Sequence, residues 1–164
     1  YAECDVAARA RQPCPVFQPR FRAEGLTTHL EIAPDLPAIR ADSAALQQVL
    51  VNLLQNAQRY AGDGKFVRLS VWREGYVILF RVEDHGIGMS RNELDRLGES
   101  FFRAEDTRVR QTRGVGLGLA IANHIIAAHG GKIEVNSRPG QGSTFTVWVP
   151  FETAANAANP KPKI

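Results

Sequence analysis

The chain has only two cysteines in 164 residues, Cys4 and Cys14, which match neither a metal-ligand spacing nor a disulfide framework. A reducing, cytosolic setting is the simpler expectation, with a single bridge between the two left open. Neither sign of charge is in marked excess. Twenty Lys and Arg stand against seventeen Asp and Glu, a formal +3, too even a mixture for a nucleic-acid binder on charge alone. No basic stretch leads into an apolar run and a small-residue cleavage site, so no secretion signal is visible. The longest stretch free of Asp, Glu, Lys and Arg is the eighteen residues from Gly114 to Gly131. Its five glycines, with Asn123, His124 and His129, make it too polar for a membrane span. These absences lead to the expectation of a soluble cytoplasmic domain with no nucleic-acid partner and no direct membrane contact.

What is present is the balance of a globular domain with a real core, 44% hydrophobic and 23% charged. Pro13, Pro15 and Pro19 rule out one long N-terminal helix and leave a short one from about Pro15 to Glu24. Strands are expected over Thr28–Ala33 and Ala38–Ala41. Asp42 and Ser43 can cap the next element, in which Leu46, Val49, Leu50, Leu53, Leu54 and Ala57 recur at helical spacing. On that helix Gln48, Asn52, Asn56 and Arg59 form a polar stripe roughly a third of a turn from the apolar one, able to face a cleft or simply water. Glu74-Gly75 marks a hairpin between strands Val67–Arg73 and Tyr76–Glu83. Helices are expected over Ser90–Leu97 and Gly118–His129, and strands over Lys132–Ser137 and Thr144–Val149. Past Pro150 no periodic apolar face remains.

Three segments could carry chemistry. Asp84-His85-Gly86-Ile87-Gly88 follows an apolar strand. Its glycines would let a ligand approach the backbone closely, and the carboxylate could accept from an exocyclic amino group, although the same residues also suit a plain turn. Gly114-Val115-Gly116-Leu117-Gly118-Leu119 opens a helix, where free N–H groups and the helix dipole suit phosphate. The GxGxG spacing and the polar segment before it do not suit a dinucleotide fold. Between the two lie six of the sixteen arginines, interleaved with acids: either a solvated loop or a lid over a phosphate ligand.

In order and spacing these segments resemble the ATP-binding catalytic domain of sensor histidine kinases, over about residues 20–150. Gln48–Tyr60 resembles the N box, Asp84–Met89 the first glycine box, Glu99–Arg103 (ESFFR) the F box, Gly114–Leu119 the second glycine box and Gly140–Phe145 (GQGSTF) the third. The resemblance implies an α+β fold of the Bergerat type, a two-layer sandwich with helices on one face of a mixed, mostly antiparallel sheet. It divides the chain into a lead-in over 1–19, the catalytic domain over 20–151 and a loose tail over 152–164.

It also implies ATP and Mg2+ as cofactors, with Asn56 as the magnesium ligand and Asn52 one turn earlier. Arg59 would reach the phosphates and Tyr60 would lie beside the adenine. Asp84 would accept from the adenine amino group, Gly86 and Gly88 would allow close approach, and Met89 would line the pocket. Arg103 and Arg108, with Arg110, would pair with phosphates from the lid. Gly114, Gly116, Leu117, Gly118 and Leu119 would close over them, and Thr144 would sit beneath the base. His85 stands where the family has a small or amide residue, Ser100 where Pro is common, and Arg113 in place of a glycine.

The implied partners are a dimerisation and phosphoacceptor domain of the same kinase and a downstream response regulator. None of the four histidines has the acceptor's surroundings, so the phosphorylated histidine is expected outside this chain, and His124 and His129 are read as structural or surface groups. An ATP-hydrolysing machine of the same superfamily would need a carboxylate among residues 48–60, where Asn52 and Gln55 stand instead. A third reading is an inactive nucleotide binder, which the intact Asn56, Asp84 and glycines disfavour.

Overall fold

A computed structural model describes residues 1–102 and 114–152, apart from the side chains of 14, 16, 98–102 and 114–117. Its elements are β1 (Ala2–Asp5), α1 (Val6–Arg11), α2 (Cys14–Ala23), β2 (Thr27–Ile32), β3 (Ala38–Ala41), α3 (Ser43–Tyr60), β4 (Phe66–Glu74), β5 (Val77–Asp84), α4 (Arg91–Phe102), α5 (Gly114–Ala128), β6 (Lys132–Ser137) and β7 (Ser143–Pro150), with a single 3-10 turn at Gly62–Gly64. Five strands form the main sheet in the order β2-β4-β5-β7-β6. Only β2 and β4 run parallel; the other neighbours are antiparallel. This is the expected α+β arrangement, with helices packed on one face.

The core follows from two periodicities. Asp42 caps α3 by accepting from the Ala45 N–H at 3.0 Å, and all six residues of its apolar stripe, Leu46 through Ala57, are buried. Every second residue of the central strands turns to meet that stripe: Val67, Leu69 and Val71 from β4, Ile78, Phe80 and Val82 from β5, and Phe145, Val147 and Val149 from β7. Asp84 and Ser143 continue the same alternation past the apolar residues. They are cross-strand partners at the ends of β5 and β7, and both face inward.

The N-terminal residues depart from expectation. β1 pairs antiparallel with β3 in a small second sheet, and Cys4, Val6 and Ala10 join the same hydrophobic cluster as Leu50 and Leu53. The packed core therefore does not begin at residue 20. The proline-rich segment still forms α2, with Pro13 and Pro15 at its start and only Pro19 inside it. Cys4 is a buried free thiol. Residues 153–164, the expected tail, lie outside the described residues.

Candidate functional site

Two backbone hydrogen bonds and one to a side chain anchor the first glycine box to α3, to the third box and to β6 at one end of the sheet. The Ile87 N–H donates to the Tyr60 carbonyl at 3.2 Å, joining the first glycine box to the C-terminus of α3, and the Gly140 N–H donates to the Ile87 carbonyl at 2.7 Å. The Met89 N–H donates to Ser137 Oγ at 2.8 Å, tying the box to the end of β6. Glycine is required at these crossings. A Cβ on Gly86 would lie 1.6 Å from the Tyr60 oxygen, and one on Gly142 2.0 Å from the Asp84 oxygen. Gly86→Ala is therefore expected to lower stability by about 1–3 kcal/mol even without ligand. Chemical denaturation checks this, and an unchanged midpoint would mean that the loop relaxes without effort.

Asp84 is 2% exposed. It accepts from the Gly86 N–H at 3.0 Å. Burial raises its carboxyl above the ordinary aspartate value, against the opposing pull of the Gly86 and Ser143 N–H groups and of His85. His85, the residue that departs from the family pattern, does not compete for this space. It follows the strand alternation onto the other face of the sheet, where its ring stacks on Phe66 with centroids 4.0 Å apart and its Nε2 lies 3.5 Å from Glu83 Oε1.

The two asparagines of the polar stripe differ, although both are 9% exposed. Asn52 is engaged: its Nδ2 donates to the Gly118 carbonyl at 3.0 Å and its Oδ1 accepts from Gln48 Nε2 at 2.8 Å. Among the described residues Asn56 makes no side-chain hydrogen bond. Its amide is not sealed from water, and its oxygen is a hard donor of the kind magnesium takes. Among the described residues no cluster of three or more His, Cys, Asp or Glu could hold a metal, so such an ion would draw most of its oxygens from phosphate and water. Arg59 is exposed near the end of α3, and Tyr60 is half-buried at its last turn.

One expectation is corrected. Thr144 lies on the face opposite Asp84, because it pairs with Glu83 and Asn136 in a register of alternating faces. Ser143, one residue earlier, is the hydroxyl beside Asp84. A reading of GQGSTF alone has no parity reference with which to choose between them. Leu119 is 2% exposed and packs in the hydrophobic core with Ala122 and Ile126.

α5 also starts earlier than expected, at Gly114, so the second glycine box forms the first turns of the helix instead of a loop ahead of it. Packing against α3 and α4 offsets the weak helix propensity of the glycines. At this end the N–H groups of residues 114–116 have no partner within the helix. Met89 packs half-buried at the core's edge, and Gly88, with φ +67°, takes a conformation that favours glycine. α4 extends to Phe102, five residues beyond the expected Leu97. Arg103 and Arg108 lie outside the described residues.

His129 is structural, as expected: its Nδ1 donates to the Ile125 carbonyl at 2.8 Å, and its Nε2 accepts from the Asp42 N–H at 3.1 Å, joining the end of α5 to the cap of α3. His124 is exposed. Among the described residues no helix is long and apolar enough to cross a membrane.

Residues 41–153 match the family described as histidine kinase-, DNA gyrase B-, and HSP90-like ATPase. The circadian input-output histidine kinase CikA of Synechococcus elongatus is 40% identical over 139 residues, covering 85% of this chain and 18% of its own length. The sensor-like histidine kinase SenX3 of Mycobacterium tuberculosis is 40% identical over 134 residues, covering 80% and 33%. The chain thus spans a third or less of these relatives. Among solved structures, full-length ShkA in complex with AMPPNP superposes with a TM-score of 0.77 at 34% identity, over 93% of this chain and 31% of that one. The nucleotide-free catalytic domain of histidine kinase ThkA superposes at 0.76 over 92% and 95%, a likeness of fold at 23% identity. With a buried aspartate at the first glycine box and a family model matched over most of its length, the chain belongs to the histidine kinase-, DNA gyrase B-, and HSP90-like ATPase family, and it is similar to the catalytic domains of sensor histidine kinases.

Proposed function

We propose that this domain binds Mg-ATP and passes the γ-phosphoryl group to a histidine on a separate dimerisation and phosphoacceptor domain, from which a response regulator would take it. The observation that carries the reading is the contrast on α3: Asn52 is tied to α5, while Asn56, one turn on, makes no side-chain hydrogen bond among the described residues. Asp84 and Ser143 would hold the adenine amino edge, and Met89 and Tyr60 would border the base. The free N–H groups at the start of α5, with Arg59, Arg103 and Arg108, would meet the phosphates. When bound, magnesium would be held by Asn56 and would supply neutralisation of phosphate charge.

Phosphoryl transfer asks a protein mostly for positioning and electrostatics. These residues supply that: Asp84 orients the base at one end of the site, and cationic side chains with helix N–H groups orient the phosphates at the other. The acceptor imidazole would itself be the nucleophile. Hydrolysis is less well served, because α3 carries no carboxylate to activate water. Placement of the parent protein in the cytoplasm, whether free or anchored, is part of the same reading. The test is incubation of the domain with γ-labelled ATP, with and without a supplied acceptor domain. Label on an acceptor histidine is expected; free phosphate alone would overturn the kinase reading in favour of an ATPase.

A further inference from the structure

A row of three polar side chains crosses the sheet beneath the glycine boxes. Asp84 of β5 pairs with Ser143 of β7, which pairs with Ser137 of β6, all on the inner face. Ser137 sits at a junction. Its Oγ lies 2.8 Å from the Met89 nitrogen, 2.9 Å from the Gly142 carbonyl oxygen and 2.8 Å from Ser143 Oγ.

A hydroxyl has one proton to donate, and two of these neighbours leave no choice of role. The Gly142 carbonyl can only accept, so the Ser137 proton goes there. The Met89 N–H can only donate, so Ser137 accepts from it. The third contact is then made by the Ser143 proton, donated to Ser137. Ser143 is 4% exposed, and with its proton drawn toward β6 its oxygen is left as an acceptor. Asp84, next to it in the row, is also an acceptor when ionised.

We propose that Ser137 is a specificity-determining positioning residue, which fixes the Ser143 hydroxyl so that Ser143 and Asp84 together present only acceptors to the base. This rests on the reading of Asp84 and Ser143 as the site of the purine edge. Two acceptors suit an amino group at purine C6, directly or through one water, and oppose a carbonyl oxygen there. Without Ser137 the Ser143 hydroxyl is free to turn and donate, and the opposition to a carbonyl falls. Ser137 touches no nucleotide; it acts through Ser143.

The test compares ATP with inosine triphosphate, which carries a carbonyl at C6, by calorimetry on the 164-residue chain and on Ser137→Ala and Ser137→Thr. The unsubstituted chain is expected to prefer ATP. In Ser137→Ala that preference should fall roughly tenfold, and in Ser137→Thr, which restores a hydroxyl, it should largely return. A purely structural role would weaken both nucleotides alike and leave the ratio unchanged, and that result overturns the proposal while leaving the site reading intact. Equal binding of the two nucleotides by the unsubstituted chain overturns it as well. Failure of the unsubstituted chain to bind ATP at all would remove the site reading itself. If Ser137→Ala does not fold, Ser143→Ala provides the same measurement, and full retention of the preference there counts against the proposal.

Discussion

Asp84→Asn is expected to weaken ATP and ADP binding equally, by about 1–3 kcal/mol, the cost of leaving a buried polar group without its partner. The equality follows from position. Asp84 lies at the end of β5 against Gly86 and Gly142, at the base-binding end of the proposed site. Calorimetry on both nucleotides is the measurement, and an unchanged ADP affinity would remove Asp84 from the site.

The substitution should also change how stability depends on pH. Burial raises the Asp84 carboxyl above its ordinary value of 3.8, so the folded chain keeps this proton to higher pH than the unfolded chain does. Stability therefore declines as pH rises from about 3.8 through the folded value, and this contribution to the slope should vanish in Asp84→Asn. Nucleotide affinity should move the other way and weaken as pH falls through the folded value, because the protonated acid loses an acceptor. Opposite signs in stability and affinity separate a binding carboxylate from one that is merely buried.

Asn56→Ala should remove most of the gain in nucleotide affinity on adding magnesium, about 1.5–3 kcal/mol on the scale of a polar contact to a charged group. It should leave stability unchanged or slightly raised, since no hydrogen bond among the described residues is lost and a buried polar group is removed. Asn52→Ala should do the reverse. It loses the bonds to Gly118 and Gln48 and so destabilises the packing of α3 on α5. Thermal melts and magnesium titrations of the two variants form a crossed pair. If Asn56→Ala gained as much affinity from magnesium as the unsubstituted chain, the metal ligand would lie elsewhere.

This crossed pair also marks where reading the sequence stops. Asn52 and Asn56 lie one turn apart on one stripe and are chemically identical, so helical periodicity places both toward the same cleft and cannot rank them. Among the described residues the contact that ties the first to another element is with Gly118, sixty-six residues away in sequence. Thr144 and Ser143 pose the same problem in a strand. Alternation assigns them to opposite faces, but which face meets the helices depends on the register of β7 against β5, a non-local pairing.

Local signals needed no such partner. The Asp42 cap, the Leu46–Ala57 stripe and the presence of the hairpin could be read directly, because each rests on contacts within a few residues or on a fixed backbone period, although the turn is Gly75-Tyr76, one residue later than expected. The N-terminal strand β1 could not, for its four residues have no partner until β3 arrives thirty-six residues later. The sequence by itself therefore determined most of the elements, their order and the family resemblance. Tertiary structure alone decided that β1 and α1 share the core, that Asn52 is tied to α5, and that Asp84, Ser143 and Ser137 form one row, because each depends on which distant residue lies across a strand or a helix contact.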